Sequence, residues 1–209
     1  MQLVENLKWR YATKKFDETK KVSATDLEKI KEAISLSASS YGLQAYKVLI
    51  IEDTEVRKKL QPASWGQSQI VDASHLIVFC NYTKVQPEVI DEYLELKANT
   101  QGLNVDDLSG YGDFMKSKIG SLPEDAVKAW TAKQTYIGLG NLLAACAELK
   151  IDACPMEGFE AEQYEQILGL GAKGLSAAVI ATIGYRSSED PTQNSKKVRK
   201  PIHELFEVL

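Results

Sequence analysis

The sequence predicts one domain in which a few buried strands are enclosed by helices. Three observations lead there. The runs Val48–Ile51, Leu76–Cys80 and Ala177–Ile183 are short, rich in β-branched residues and apolar on both faces. Interior strands covered on both sides read that way. Most of the remaining chain carries helical signals. No linker and no internal repeat divides the 209 residues, a length that suits one domain spanning 1–209. Apolar residues make up 44% and charged residues 26%, a globular balance that argues against disorder and low-complexity arrays.

The clearest helix start is Ser23-Ala24-Thr25-Asp26. Ser23 can cap, Asp26 sits where a capping-box acid belongs, and Val22 and Leu27 are placed for a hydrophobic staple. Leu27, Ile30 and Ile34 then keep one helical face apolar. Pro87 suits the first turn of a helix running to about Thr100. Gly102, Gly110 and Gly112 punctuate what reads as a looser, more polar stretch. A long helix is expected from about Pro123 to Lys150. Its second half, Tyr136 to Ala147, is apolar nearly all round and should be buried, centrally or between subunits. Glu160 to Leu168 makes one more helix. The tail from Ser187 is polar until it ends Leu205-Phe206-Glu207-Val208-Leu209, which needs somewhere to pack.

Several function classes recede on residue types alone. No apolar run approaches the roughly 20 residues that cross a bilayer. The charged N-terminus does not resemble a signal peptide, so a cytoplasmic protein without membrane partners is expected. A net charge of −4 argues against nucleic acid. The cysteines Cys80, Cys146 and Cys154 form no C-x-x-C pair and read as small buried hydrophobes. Only His75 and His203 are available as imidazoles, no G-x-S-x-G elbow accompanies them, and no metal site is expected. Gly169-Leu170-Gly171-Ala172-Lys173-Gly174 spells G-x-G-x-x-G, but a helix precedes it and a strand follows, the reverse of a dinucleotide fingerprint. These glycines are expected to stop a helix and turn the chain. Gly138 and Gly140 lie inside the long helix and permit close packing. Any phosphate must therefore be held by side chains.

Such side chains lie at both ends. Arg10 and Lys14 are four apart and share a face if helical. Lys197 and Arg199 are two apart and point the same way if extended. Arginine and lysine together suit a phosphate, although each cluster alone reads as a solvated face. Between them lie the hydroxyl-rich Ser37–Gln44, two amides in Gly66-Gln67-Ser68-Gln69, and Ala153–Phe159, which reads as a proline-to-glycine loop able to present backbone amides.

In this order the segments resemble the FMN-dependent NAD(P)H nitroreductase family, close to the oxygen-insensitive bacterial group that includes dihydropteridine reductase and flavin reductase activities. The matching pieces are R-x-x-x-K-x-F at Arg10–Phe16, S-S-x-x-x-Q at Ser39–Gln44, D-A-S-H at Asp72–His75, A-K-Q at Ala132–Gln134, P-x-E-G-F at Pro155–Phe159 and K-x-R-x-P at Lys197–Pro201. Each is weak alone, and six in register over nearly the whole chain are specific.

The resemblance implies an α+β fold, a central mostly antiparallel sheet wrapped by helices, built as an intertwined homodimer with FMN at the subunit interface. Carried over by position, Arg10, Lys197 and Arg199 hold the FMN phosphate, with Tyr11 and Ala12 beside them. Lys14 reaches the pyrimidine edge and stabilises the reduced flavin. Pro155, Met156, Glu157 and Gly158 line one ring face, the Glu157 backbone N–H directed at N5. Ser39 and Ser40 come from the other subunit, and Phe114 is the best match to the family's active-site aromatic.

The chain departs from the family pattern at Tyr11-Ala12, where relatives carry His-Ser. It departs also at Gly66 and Gln69, where they carry Asn and Lys, so Gln67 and Gln69 are expected to contact the flavin instead. The implied reaction is hydride transfer from NAD(P)H to FMN and then to small nitroaromatic, quinone or pterin-like acceptors, by ping-pong. Such a cofactor carries the chemistry while the protein orients and tunes it, in keeping with the scarcity of histidine. The alternative is a flavin-binding or carrier protein without turnover.

Overall fold

The computed structural model describes all residues, 1–209. In chain order its elements are α1 (Gln2–Trp9), α2 (Ala24–Ser35), β1 (Tyr46–Ile51), α3 (Thr54–Leu60), α4 (Gln69–Asp72), β2 (His75–Tyr82), α5 (Pro87–Gln101), α6 (Ser109–Gly120), α7 (Glu124–Glu148), β3 (Asp152–Met156), α8 (Ala161–Leu168), β4 (Leu175–Gly184) and α9 (Ile202–Leu205). The four strands form one antiparallel sheet in the order β1-β2-β4-β3. The α+β class expected above is the class observed.

Strand alternation builds the core. Leu76, Val78 and Cys80 point to one face of β2, where they meet Leu60, Ile70, Tyr164 and Leu170 from α3, α4, α8 and the turn after α8. Ile77 and Phe79 point to the other, against Ile30 and Ile34 of α2 and Leu139, Leu142 and Cys146 of α7. The central strands are therefore apolar throughout because both faces are covered. Truncating a fully buried side chain here, such as Leu142, is expected to cost about 2–5 kcal/mol. Gly138 earns its place in α7, since a Cβ there would stand 3.2 Å from the Phe79 ring. A satellite cluster of Leu43, Ile90, Leu94, Met115 and Ile119 joins α5 to α6.

The expected caps form. Ser23 Oγ accepts from the Asp26 backbone N–H at 3.1 Å, and its hydroxyl donates to the Asp26 carboxylate at 2.8 Å. Gly169 ends α8 and Gly174 ends the next turn, both with positive φ, so the G-x-G-x-x-G run is punctuation.

Four expectations need correction. Residues 109–120 are helical, not loose, because Gly112, Met115 and Ile119 share a helical face; Gly112 packs so closely that a Cβ would meet Leu94. The segment read as a loop at Ala153–Phe159 begins as strand β3. Pro155 is tolerated there because β3 lies at a sheet edge. Val48–Ile51, read as an interior strand, belongs to β1 at the other sheet edge, where Val48, Leu49 and Ile50 are only half-buried. Arg10 lies beyond the end of α1 with extended backbone, so Arg10–Lys14 is not helical. An extended chain still directs residues four apart to one side.

Candidate functional site

The site begins where the two chain ends meet. After α1 the chain runs extended, and Ala12 forms a parallel bridge to Ala153 on β3. Beyond β4 the chain returns alongside: Phe16 bridges to Arg186, and the Ser187 N–H donates to Lys15 O at 3.0 Å. Arg186 pairs with the buried Asp152 at 2.6 Å and stacks against Trp9 and Tyr11, with ring centroids 4.5 and 4.6 Å away.

Asp190 locks the two ends together. It is almost wholly buried, and one carboxylate oxygen accepts from the backbone N–H of Lys14 (2.7 Å) and Lys15 (3.1 Å). The other accepts from the backbone N–H and hydroxyl of Thr192, both at 2.7 Å. Burial alone would raise its pKa, but these bonds together hold it down to about 2. Sequence reasoning did not single out Asp190. Its signal was the Asp-Pro-Thr turn pattern, in which an Asp side chain bonds the backbone two residues on.

The resulting cavity holds about 370 Å³ and is lined by six cations: Lys8, Arg10, Lys14, Lys196, Lys197 and Arg199. No acid lines it, although the chain as a whole is net negative. Its cations disturb one another. Burial, and then the charge of Arg199, lower the pKa of Arg10. Burial, Arg10 and Arg199 lower that of Lys197. The Arg10 Nε is buried and has no hydrogen-bond partner. Lys197 Nζ, by contrast, donates to Leu7 O at 2.9 Å and to Arg10 O, anchoring the returning arm on the end of α1. A repelling, under-bonded cluster of this kind is relieved by an anion with several acceptor oxygens. A larger hollow of about 460 Å³ between α2 and β1 is lined mainly by apolar side chains with Lys31 the only charge, and offers an anion far less.

The structure brings Arg10, Tyr11, Ala12, Lys14, Lys197 and Arg199 together in the basic cavity. Pro155 and Met156 end β3, whose start is bridged to Ala12, and Glu157 and Gly158 follow in the turn. Gln67 Nε2 donates to Gly158 O at 2.9 Å, tying its segment to that turn. Gln69 is buried at the start of α4. The Glu157 carboxylate accepts from the Tyr136 hydroxyl; burial and that bond raise the Tyr136 pKa to about 12. Tyr136 was not among the expected site residues.

Ser39, Ser40 and Phe114 lie elsewhere in the chain. Ser39 Oγ accepts from the Gln44 N–H, and the Ser40 N–H donates to Gln134 Oε1, both at 2.9 Å. Phe114 stands on α6, 47% exposed and edge-on to Tyr41. None of the three lines the basic cavity.

His75 and the cysteines have structural settings. Ser74 Oγ is 2.9 Å from His75 Nδ1, and His75 Nε2 is 3.0 Å from Glu52. Burial nevertheless lowers the His75 pKa. All three cysteines are free and buried. No helix is long and apolar enough to cross a membrane.

Comparison with known proteins identifies the family. The family profile described as Nitroreductase family matches residues 7–185. A Bacillus subtilis (strain 168) protein bearing the provisional name NAD(P)H nitroreductase YfkO is 37% identical over 212 residues, covering 96% of each chain. Among solved structures, the nitroreductase ydfN of Bacillus subtilis superposes with a TM-score of 0.89 at 21% identity, covering 100% of this chain and 99% of that one. A nitroreductase of Exiguobacterium sibiricum 255-15 solved in complex with FMN gives 0.84 at 21% identity, covering 99% and 97%. The two ends of the chain thus close a basic cavity on a fold shared with these proteins, and the chain belongs to the Nitroreductase family.

Proposed function

We propose that this chain is an FMN-dependent oxidoreductase, one domain over 1–209, that takes a hydride from NAD(P)H and passes electrons to nitroaromatic, quinone or pterin-like acceptors by ping-pong, in the cytoplasm. The observation that carries the reading is the basic cavity with its unpartnered Arg10 Nε and no acid in its lining. One phosphate-sized cluster without a pyrophosphate loop fits FMN better than FAD.

The cofactor, when bound, supplies the hydride-accepting and hydride-donating ring. The chain supplies binding and tuning. Arg10, Lys197 and Arg199 hold the phosphate, the arginine fork and lysine point charge sharing its oxygens. Lys14 offsets the negative charge that the ring gains on reduction. Pro155 and Met156 at the end of β3 line one ring face, and the Glu157–Gly158 turn offers backbone N–H groups, fastened by Gln67 on one side and Tyr136 on the other. Gln69, buried at the start of α4 two residues beyond Gln67, contacts the flavin from the same segment.

The working unit in this reading is a homodimer. Val198, Ile202, Phe206 and Leu209 are each at least two-thirds exposed on the returning arm, and Leu3, Val4 and Leu7 are exposed on α1. Cover from a second subunit removes that apolar surface from water. Ser39, Ser40 and Phe114 then serve the site from the partner.

The test is anaerobic addition of NADH or NADPH to FMN-loaded protein. Rapid bleaching of the yellow colour, followed by recovery on adding a nitroaromatic or quinone, is the expected result. Flavin that binds but does not bleach would make this a carrier. Protein that gains no colour with FMN would overturn the reading.

A further inference from the structure

Arg186 is the only cation of the chain that lies over two aromatic rings. Its guanidinium carbon stands 4.5 Å from the ring centroid of Trp9 and 4.6 Å from that of Tyr11. Asp152, the buried first residue of β3, fixes its place. One Asp152 oxygen accepts from the Arg186 backbone N–H at 2.8 Å. The other accepts from Nε at 2.9 Å and has Nη2 2.6 Å away. Asp152 is itself paired with Gly184 across the β3–β4 ladder, so the guanidinium is tied to the sheet. An arginine held in this way is a fixed plane on which rings can stack.

The two rings flank Arg10 in the chain. Arg10 has extended backbone, with φ −70° and ψ 146°. On such a backbone, residues two apart point the same way and the one between them points the other. Trp9 and Tyr11 turn to Arg186, while Arg10 turns towards the charge of Arg199. The Arg10 carbonyl is held separately, by Lys197 Nζ. Trp9, Arg10 and Tyr11 all line the basic cavity, and Arg186 does not. Arg186 therefore stands behind the wall that presents Arg10, with its own charge met by Asp152.

We propose that Arg186 is a positioning residue for the anion site: by gripping Trp9 and Tyr11 it aims Arg10 at the phosphate without touching it. This rests on the flavoenzyme reading above and deepens it. A guanidinium that must find its angle at each binding event loses freedom when the phosphate arrives. One whose flanking rings are already stacked has lost that freedom on folding, and binding is tighter for it. The pairing with Asp152 belongs to the device, because an unpaired cation behind the wall would add to the repulsion among those that line the cavity.

The experiment titrates FMN and riboflavin into wild type, Arg186→Lys and Trp9→Leu. The lysine keeps a charge beside Asp152 but loses the stacking plane. The leucine loses one ring and leaves the ion pair whole. Each should weaken FMN binding about five-fold, the scale of a lost cation–π contact. Riboflavin, which lacks the phosphate, should bind both variants as it binds wild type. Trp9→Phe keeps a ring and should recover most of the loss. In an Arg10→Met background, Arg186→Lys should cost FMN nothing further, since the group that it aims is gone. Equal losses for FMN and riboflavin, or the full loss persisting beside Arg10→Met, would overturn the proposal and make Arg186 a residue of the fold alone. So would wild-type FMN affinity in both variants. Inorganic phosphate should raise the unfolding midpoint of flavin-free wild type, and raise that of Arg186→Lys less. Protein that responds to phosphate in this way but takes up no FMN would overturn the flavoenzyme reading and uphold the clamp. Wild type that responds to neither would overturn both.

Discussion

Arg57 and Arg10 are both arginines drawn partly out of water, and burial lowers the pKa of both. Their surroundings differ. Arg57, on α3, donates to four backbone carbonyls: Nε to Ile70 O (2.6 Å), Nη1 to Ser74 O (3.1 Å), and Nη2 to Val71 O (2.9 Å) and Ala73 O (2.5 Å). It caps the carbonyls at the end of α4 and sets the entry into β2. Arg10 leaves its Nε unpartnered and faces the like charge of Arg199. A buried polar group in a native fold is normally bonded, and among the few unpartnered ones here Arg10 Nε is the cationic donor that belongs to the basic cavity. One arginine finishes the fold, and the other is the one the proposed function assigns to the phosphate.

The contrast predicts opposite outcomes for the same substitution. Arg57→Met leaves four carbonyls without their donor and should lower the unfolding free energy by about 3 kcal/mol or more. The FMN affinity of the molecules that remain folded should not change. Urea denaturation beside flavin titration reads both quantities. Arg10→Met should do the reverse. FMN affinity should fall by about 2–3 kcal/mol, the scale of a lost charge-assisted contact to phosphate. Flavin-free stability should hold or rise slightly, because a repulsion with Arg199 is removed. A large stability loss in Arg10→Met would erase the distinction.

Asp190 sharpens it further, since it is a fold residue at the edge of the ligand site. Asp190→Asn should destabilise the flavin-free protein by about 2 kcal/mol, through weaker bonds to Lys14, Lys15 and Thr192. It should also weaken FMN binding, because the two ends are no longer held in register. The sign of its pH dependence follows from its pKa of about 2, held below the value near 3.9 of an unfolded aspartate. Its contribution is complete above about pH 4 and is lost as the pH falls towards 2. Unfolding midpoints measured across that window should lose the Asp190 component in Asp190→Asn. The smallest effect expected is from salt. Raising sodium chloride from about 50 to 500 mM should weaken FMN binding a few-fold by screening the open cavity, while the enclosed Arg57 bonds stay insensitive.

How much of this was legible in the sequence depends on how local each signal is. The strands β2 and β4 could be read because two-faced burial leaves unbroken apolar runs, and β1 because its run is apolar too, although it is a half-buried edge strand. β3 could not, because Pro155 and a following Glu-Gly mimic a loop, and only its position at the sheet edge makes proline harmless. Helix α6 was hidden by its glycines, and the packing of Gly112 against Leu94 exists only in three dimensions. Arg10, Lys14, Lys197 and Arg199 were visible as two separate charge patterns. Their meeting depends on Asp190, whose bonds span more than 170 residues and leave no local pattern beyond a turn.

The central claim is that the cavity closed by the two chain ends holds the phosphate of FMN. The most direct measurement is the ratio of the dissociation constants of riboflavin and FMN, which differ by that phosphate alone, in wild type and in Arg199→Met. Wild type should bind FMN at least about 100-fold more tightly than riboflavin, as several charge-assisted contacts to one phosphate would give. Arg199→Met should lose about ten-fold or more of that preference while its riboflavin affinity stays unchanged. Equal affinities for the two flavins in wild type, or an undiminished preference in Arg199→Met, would contradict the account.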